Sequence, residues 1–216
     1  MVAWQSTLFG AAAPRPGAAP VERIELDGGA WLDHAPGWLE GSDTLFQEVL
    51  DRAPWGQRRR YMYEGMVDEP RLTAGWSDAK GWDDCPAAVL EVRDRMCERY
   101  GLPFDSVHCN LYRDGSDSVA WHGDNVRKEM MEPVVVILSL GERRRFLLRR
   151  TGGGASLRFD LGGGDLLVMG GTCQHTWQHT VPKVRQAGAR ISVTYRHRPP
   201  AAASAGAAPA ASRPYA

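Results

Sequence analysis

The sequence predicts an α+β fold, a β-sandwich or barrel with helices packed on one face. Two observations carry this. Helical periodicity is confined to the first half of the chain, and short β-rich runs separated by Gly-rich turns fill the second. "SDTLFQEVLDRAP" sets Leu45, Phe46, Val49 and Leu50 at helical spacing, with Ser42 or Asp43 as N-cap and Pro54 as the stop. "CPAAVLEVRDRMCERYG" gives a second helix, with Pro86 near its first turn, a Val89, Val92, Met96, Tyr100 stripe and Gly101 at its end. The strands follow as "SVHCNLY", "PVVVILSL", "RRFLLRR", "SLRFDL", "DLLVMGG" and "RISVTYRHR", with "TGGGA" and "LGGGD" as turns.

Ala/Pro/Gly/Ser tracts at 11–20 and 199–214 bury too little apolar surface to order themselves. The expected organisation is a disordered tail at 1–20, one domain at 21–198 and a second disordered tail at 199–216. Hydrophobic content of 43% and charged content of 24% suit a soluble globular protein. With 26 basic and 26 acidic residues there is no global charge to draw the chain to nucleic acid, so any such footprint must be local. No apolar run is long enough to span a bilayer, and no secretory leader is visible. Cys85, Cys97, Cys109 and Cys173 are widely spaced, which suits reduced thiols. A cytoplasmic protein without membrane contact, and a monomer, is the expectation.

The stretch "VAWHGDNVR" places His122 and Asp124 two apart, where an extended chain turns both side chains to one face. Six histidines and 26 acids make one such pair unremarkable by chance. A third ligand is available in "TWQHTVP" as His179, just before the last strand. Two imidazoles and a carboxylate on one face of an ion leave three coordination positions open, the arrangement of non-haem Fe(II) oxygenases. In "RISVTYR", Arg190, Ser192, Thr194 and Arg196 share one face and Ile191, Val193 and Tyr195 the other. A lone strand Arg is ordinarily a solvated edge charge. Here the apolar face has the better claim to the packing layer, which leaves both arginines to line an interior. Guanidinium suits bidentate carboxylate recognition, so the pair could clasp a small diacid such as 2-oxoglutarate.

"NLYRDGSDSVAWHGD", "QHTWQHTVP" and "RISVTYR" together resemble the AlkB family of Fe(II)/2-oxoglutarate-dependent nucleic-acid dealkylases. The resemblance runs from about residue 40 to 198. It implies a double-stranded β-helix (jelly-roll) core, iron held by His122, Asp124 and His179, and 2-oxoglutarate held by Asn110, Tyr112, Arg190 and Arg196, with O2 as the other co-substrate. It further implies oxidative demethylation of bases such as 1-methyladenine and 3-methylcytosine in DNA or RNA, coupled to 2-oxoglutarate decarboxylation. "PW" at 54–55 and "PRLTAGW" at 70–76 resemble the substrate lid. Many relatives carry an acid four residues after the first ligand His, where Val126 stands here.

"PWGQRRRYMYEGM" mixes Trp55, Tyr61 and Tyr63 with Arg58, Arg59 and Arg60, as stacking bases and phosphates would require. It is equally a charged turn before a strand whose aromatics fill the core; inside a lid, substrate contact is favoured for Trp55, Arg58, Arg60, Tyr61 and Tyr63, with Val126 beside the base. "GERRRFLLRR" offers a second basic patch. His175 competes with His179 as distal ligand, His34 and His108 read as ordinary loop and strand histidines, and Cys109 as a core thiol. The short lid favours single-stranded substrate. Rival readings are a 2-oxoglutarate-dependent hydroxylase of a small molecule or protein side chain, a zinc hydrolase, and a silent nucleic-acid-binding module. At the N-terminus, Gln5, Leu8 and Phe9 resemble the pentapeptide that docks on bacterial sliding clamps, against the plainer reading of a frayed terminus.

Overall fold

The computed structural model describes residues 12–62, 65–124 and 130–198. In chain order the elements are β1 (Arg15–Pro16), β2 (Glu22–Glu25), β3 (Ala30–Ala35), β4 (Leu39–Glu40), α1 (Ser42–Arg52), β5 (Gly56–Met62), β6 (Gly65–Ser77) and α2 (Ala87–Tyr100). They continue with β7 (Phe104–Tyr112), β8 (Val119–His122), β9 (Val135–Gly141), β10 (Arg144–Arg150), β11 (Ser156–Leu161), β12 (Leu166–Gly171), α3 (Cys173–Thr176), β13 (Trp177–Val181) and β14 (Arg190–His197).

An eight-stranded sheet in the order β2-β3-β12-β9-β14-β7-β6-β5 faces a four-stranded sheet in the order β11-β10-β13-β8. All pairings are antiparallel, which makes a double-stranded β-helix. Two apolar layers hold it. Between the sheets lie Leu32, Ile137, Phe146, Leu148, Leu161, Leu167 and Met169. On the outer face of the large sheet, Ile191, Val193 and Tyr195 of β14 and Val107, Cys109 and Leu111 of β7 meet Leu45, Phe46 and Val49 of α1 and Val89, Val92 and Met96 of α2. The helical stripes therefore do what their spacing predicts: they cover one face of a sheet.

Three local expectations change. The residue before α1 is Gly41, not Ser42 or Asp43, and no side chain caps that end. Gly41 has φ 65, and a Cβ there would stand 2.6 Å from the carbonyl oxygen of Ala12, so only glycine lets the incoming chain pass. That incoming chain is the second change. Arg15 and Pro16 pair with Glu40 and Leu39, and Gly17 donates to the Trp38 carbonyl, so backbone pairing orders a stretch whose composition predicts disorder. Third, strands precede the helices. β3 hides from a pattern search because Asp33 is buried within it, accepting hydrogen bonds from Arg23 and Tyr100. β6 hides because Pro70 interrupts it. The register between β5 and β6 shifts between Gln57 and Arg59, so Glu69, Pro70 and Arg71 fall in a bulge where proline removes no ladder bond.

No helix among the described residues is long and apolar enough to cross a membrane. All four cysteines are free, and Cys109 is a core thiol whose pKa burial raises.

Candidate metal and co-substrate site

β8 and β13 pair with His122 directly opposite His179, and the ring centroids are 4.3 Å apart. Asp124 follows two residues later, and one ligand atom from each of the three residues lies within 4.8 Å of the others. Each side chain is held from behind. The Nδ1 of His122 donates to the Ala120 carbonyl at 2.8 Å, which leaves Nε2 with its lone pair for a metal. His179 is stacked on Phe146 with centroids 5.1 Å apart. Burial pushes its pKa down to about 4, so it stays neutral and able to ligate. The backbone N–H of Asp124 donates to Gln174 Oε1 at 2.9 Å. Gly123 is needed for that approach, since a Cβ there would lie 2.9 Å from the Gln174 carbonyl oxygen.

Burial would raise the Asp124 carboxyl, but the Arg196 guanidinium and the two imidazoles outweigh it and hold the pKa below the usual range. Arg196 occupies Oδ1, while Oδ2 is buried with no hydrogen-bond partner. An ionised, unsatisfied carboxylate oxygen beside two imidazoles fits a divalent cation.

Arg190, Ser192, Thr194 and Arg196 line one cavity of about 300 Å³ together with Asn110, Tyr112, His122, Asp124 and His179. The face expected of β14 is the face found. At the inner end Arg190 is 1% exposed, its Nε donates to Ser139 Oγ at 2.9 Å, and its guanidinium lies 5.5 Å from the Tyr112 ring centre. Its Nη1 is buried without a partner, and burial lowers its pKa to about 10. A buried cation of this kind fits an anion in the cavity. The two arginines divide the work unlike a symmetric clasp: Arg190 has a free donor, and Arg196 is engaged by Asp124.

Two ionisable cavity residues lie outside the sequence-level assignments. Arg71 donates through Nε to Asn110 Oδ1 at 3.0 Å. His108 lines the cavity on the same face of β7 as Asn110 and Tyr112. Burial first, then Arg196, Arg58 and Arg71, push its pKa down to about 4. Period-two alternation back from Asn110 finds His108, whereas Arg71 lies in the β6 bulge, where alternation gives no guide. His175 instead approaches the Met130 carbonyl through Nε2, and His34, in β3, packs edge-on to Phe159 of β11.

The substrate residues divide. Arg58 lines this cavity and a neighbouring one of about 800 Å³. Tyr61 is 72% exposed on β5, the edge strand of the large sheet. Arg60 pairs with Glu69 at 2.5 Å and Arg59 with Asp68 at 3.1 Å, so acids on β6 offset much of the basic lid. Trp55 is half-buried: its Nε1 donates to the Leu50 carbonyl and its ring packs against the helix-side core. Tyr63 and Val126 lie outside the described residues, as do Gln5, Leu8 and Phe9. The second basic patch loses two of its five arginines. Arg144 is buried and donates to the carbonyls of Asp114, Asp117 and Pro182, and Arg150 pairs with Asp27.

Residues 71–196 match the family model of the 2OG-Fe(II) oxygenase superfamily. The chain is 34% identical to the DNA oxidative demethylase ALKBH2 of Arabidopsis thaliana, covering 80% of this chain and 68% of the relative. It is 30% identical to the alpha-ketoglutarate-dependent dioxygenase alkB homolog 3 of Bos taurus, over 73% of this chain and 62% of that protein, so it spans about three fifths of that relative's length. The solved structure of OsALKBH1 superposes with a TM-score of 0.58 at 17% identity, covering 82% of this chain and all of that one, a likeness of fold. The chain belongs to the 2OG-Fe(II) oxygenase superfamily, and within it to the AlkB family.

Proposed function

We propose that this protein is an iron(II)- and 2-oxoglutarate-dependent dioxygenase that removes N-alkyl groups from nucleic-acid bases. The observation that carries the reading is the pairing of two unsatisfied buried groups in one cavity, Asp124 Oδ2 for a cation and Arg190 Nη1 for an anion. His122, Asp124 and His179 hold the metal, with Arg196 fixing the carboxylate through Oδ1. Arg190, Tyr112 and Asn110 orient the dianion, and Ser139 aims the Arg190 guanidinium. Bound iron(II) supplies oxidation of the N-alkyl carbon by O2, coupled to conversion of 2-oxoglutarate to succinate and carbon dioxide. A hydroxylated N-methyl group is a hemiaminal and is lost as formaldehyde. The base must leave its stack to reach the cavity, which favours single-stranded DNA or RNA. Arg58 at the mouth and Tyr61 on the edge strand are the candidate contacts for that strand.

Relatives named for DNA demethylation and for 2-oxoglutarate dependence support this reading over hydroxylation of a small molecule or protein side chain. The deciding experiment is mass spectrometry of oligonucleotides carrying 1-methyladenine or 3-methylcytosine after incubation with the protein, Fe(II), ascorbate and 2-oxoglutarate. Loss of one methyl mass with matching succinate is expected; an unchanged oligonucleotide beside steady succinate formation overturns the nucleic-acid substrate. The same proposal includes a cytoplasmic monomer whose N-terminal Gln5, Leu8 and Phe9 dock on a sliding clamp. A peptide of residues 1–12 binding the clamp from the same organism, with loss in the Leu8→Ala/Phe9→Ala control, is the expected result.

A further inference from the structure

Arg71 sits in the bulge of β6, is 13% exposed, and lines the co-substrate cavity. An arginine in such a place invites the reading of another carboxylate ligand. Its contacts point elsewhere. Nε donates to Asn110 Oδ1 at 3.0 Å, Nη2 pairs with Glu69 Oε2 at 2.9 Å, and Nη1 reaches the Ser118 carbonyl at 3.5 Å. Glu69 is itself buried and is shared with Arg60, so the Arg71 guanidinium is held on two edges, by Asn110 and by Glu69.

We infer that Arg71 is a positioning residue for the co-substrate, acting through Asn110. The inference rests on the cavity being the 2-oxoglutarate site. The two ends of an asparagine amide are nearly the same size, so hydrogen-bond partners decide which end faces where. By donating to Oδ1, Arg71 turns the carbonyl end toward itself and leaves the NH2 end as a donor for the cavity. A dianion needs that donor; with the amide reversed it would meet a second acceptor. The bulge supplies the geometry, because local loss of register is how a strand re-aims a side chain beside a site. Glu69 serves as the second anchor that stops Arg71 from rotating toward the anion.

The test is a double-mutant cycle read by calorimetry of 2-oxoglutarate binding to the full chain loaded with Mn(II). Arg71→Met and Asn110→Ala are each expected to weaken binding about ten- to a hundredfold, the range for a hydrogen bond to a charged group. The double variant should bind no more weakly than the weaker single one. Turnover at saturating 2-oxoglutarate should stay within about threefold of wild type for Arg71→Met, so the loss appears in KM and not in kcat. Wild-type affinity in Arg71→Met, or a double variant whose loss is the product of the singles, overturns the inference. Absence of 2-oxoglutarate binding by the wild-type protein overturns the reading of the site beneath it. If Arg71→Met does not fold, Asn110→Asp tests the same contact, since a carboxylate strengthens the pair with Arg71 while removing the donor. Melting at or above the wild-type temperature with at least hundredfold weaker 2-oxoglutarate binding is expected; wild-type affinity in that variant overturns the inference.

Discussion

β14 and β5 both carry arginines, six apart on β14 (Arg190 and Arg196) and consecutive on β5 (Arg58, Arg59 and Arg60), and they lead to different places. β14 lies between β9 and β7 in the middle of the large sheet. Its apolar face is claimed by the helices, so the polar face has only the cavity to enter, and Arg190 ends 1% exposed with a free donor. β5 is an edge strand, and Gly56 through Tyr61 are all exposed. Nothing forces its arginines inward, and two of them settle on acids of the adjacent strand. A charge buried on a central strand with a donor left unsatisfied by the protein is therefore strong evidence of a ligand, because burial without a partner is costly. On an edge strand charge is ordinary and blocks unwanted pairing.

The largest effects should come from the central face. Asp124→Ala should reduce turnover to background and abolish stoichiometric Fe(II) binding, while circular dichroism and the melting temperature of the metal-free protein stay close to wild type. Full demethylation by that variant would break the triad assignment. Next is Arg190→Met. It should raise the Michaelis constant for 2-oxoglutarate by roughly 150- to 4000-fold, following the about 3–5 kcal/mol expected when one partner of a buried charge pair is removed. The unliganded variant should melt no lower than wild type, since the unliganded cavity holds a buried cation with an unsatisfied donor. A drop in both readouts would mean that Arg190 is structural.

A smaller effect separates the cavity wall from the lid through pH. The folded pKa of His108 is depressed to about 4 against an ordinary value of 6.5. The unfolded chain therefore takes up a proton between those limits that the folded one refuses. The His108 contribution is intact above about pH 6.5 and is lost as pH falls toward 4, by about 3 kcal/mol in all. Denaturant titrations at pH 7 and pH 4.5 should show a shallower stability loss for His108→Gln than for wild type. Parallel losses would mean that His108 titrates normally.

What the sequence made legible follows the same division. The shared face of Arg190 and Arg196 could be read because period-two alternation in a buried strand fixes the face of every residue, whereas Asn110 and Tyr112 are implied by the resemblance to the AlkB family. Two of their neighbours were harder for local reasons. His108 is one alternation step from Asn110, but a lone histidine carries no sign of its surroundings. Arg71 lies in a bulge around Pro70, and the register shift that aims it depends on strand pairing that no local pattern records. Aromatic residues beside arginines describe a core-facing turn as well as a stacking platform, and at Trp55 the bond from Nε1 to the Leu50 carbonyl adds a core contact that the pattern does not record. β1 pairs residues of low-complexity composition through backbone groups and an exposed Arg15–Glu40 ion pair, which composition cannot foresee.

The smallest predicted effects lie on β5, and they sharpen the comparison by their ranking. Tyr61 exposes most of its ring on the edge strand, where apolar surface gains nothing for the fold. Tyr61→Ala should weaken binding of a single-stranded oligonucleotide by about 1–3 kcal/mol, the worth of one base stacked on an aromatic ring, and leave 2-oxoglutarate affinity unchanged. Arg58 has no ion pair among the described residues and lines both cavities, whereas Arg59 is held by Asp68. Arg58→Ala should therefore lower oligonucleotide affinity several-fold and reduce its salt dependence by about one counterion. Arg59→Ala should change affinity less than twofold, because an exposed pair already in water contributes little. Fluorescence anisotropy with a labelled oligonucleotide at two salt concentrations measures all three. Equal losses for Arg58 and Arg59 would show that the strand reads β5 as undifferentiated positive charge, and that the ion pair with Asp68 gives way on contact with nucleic acid.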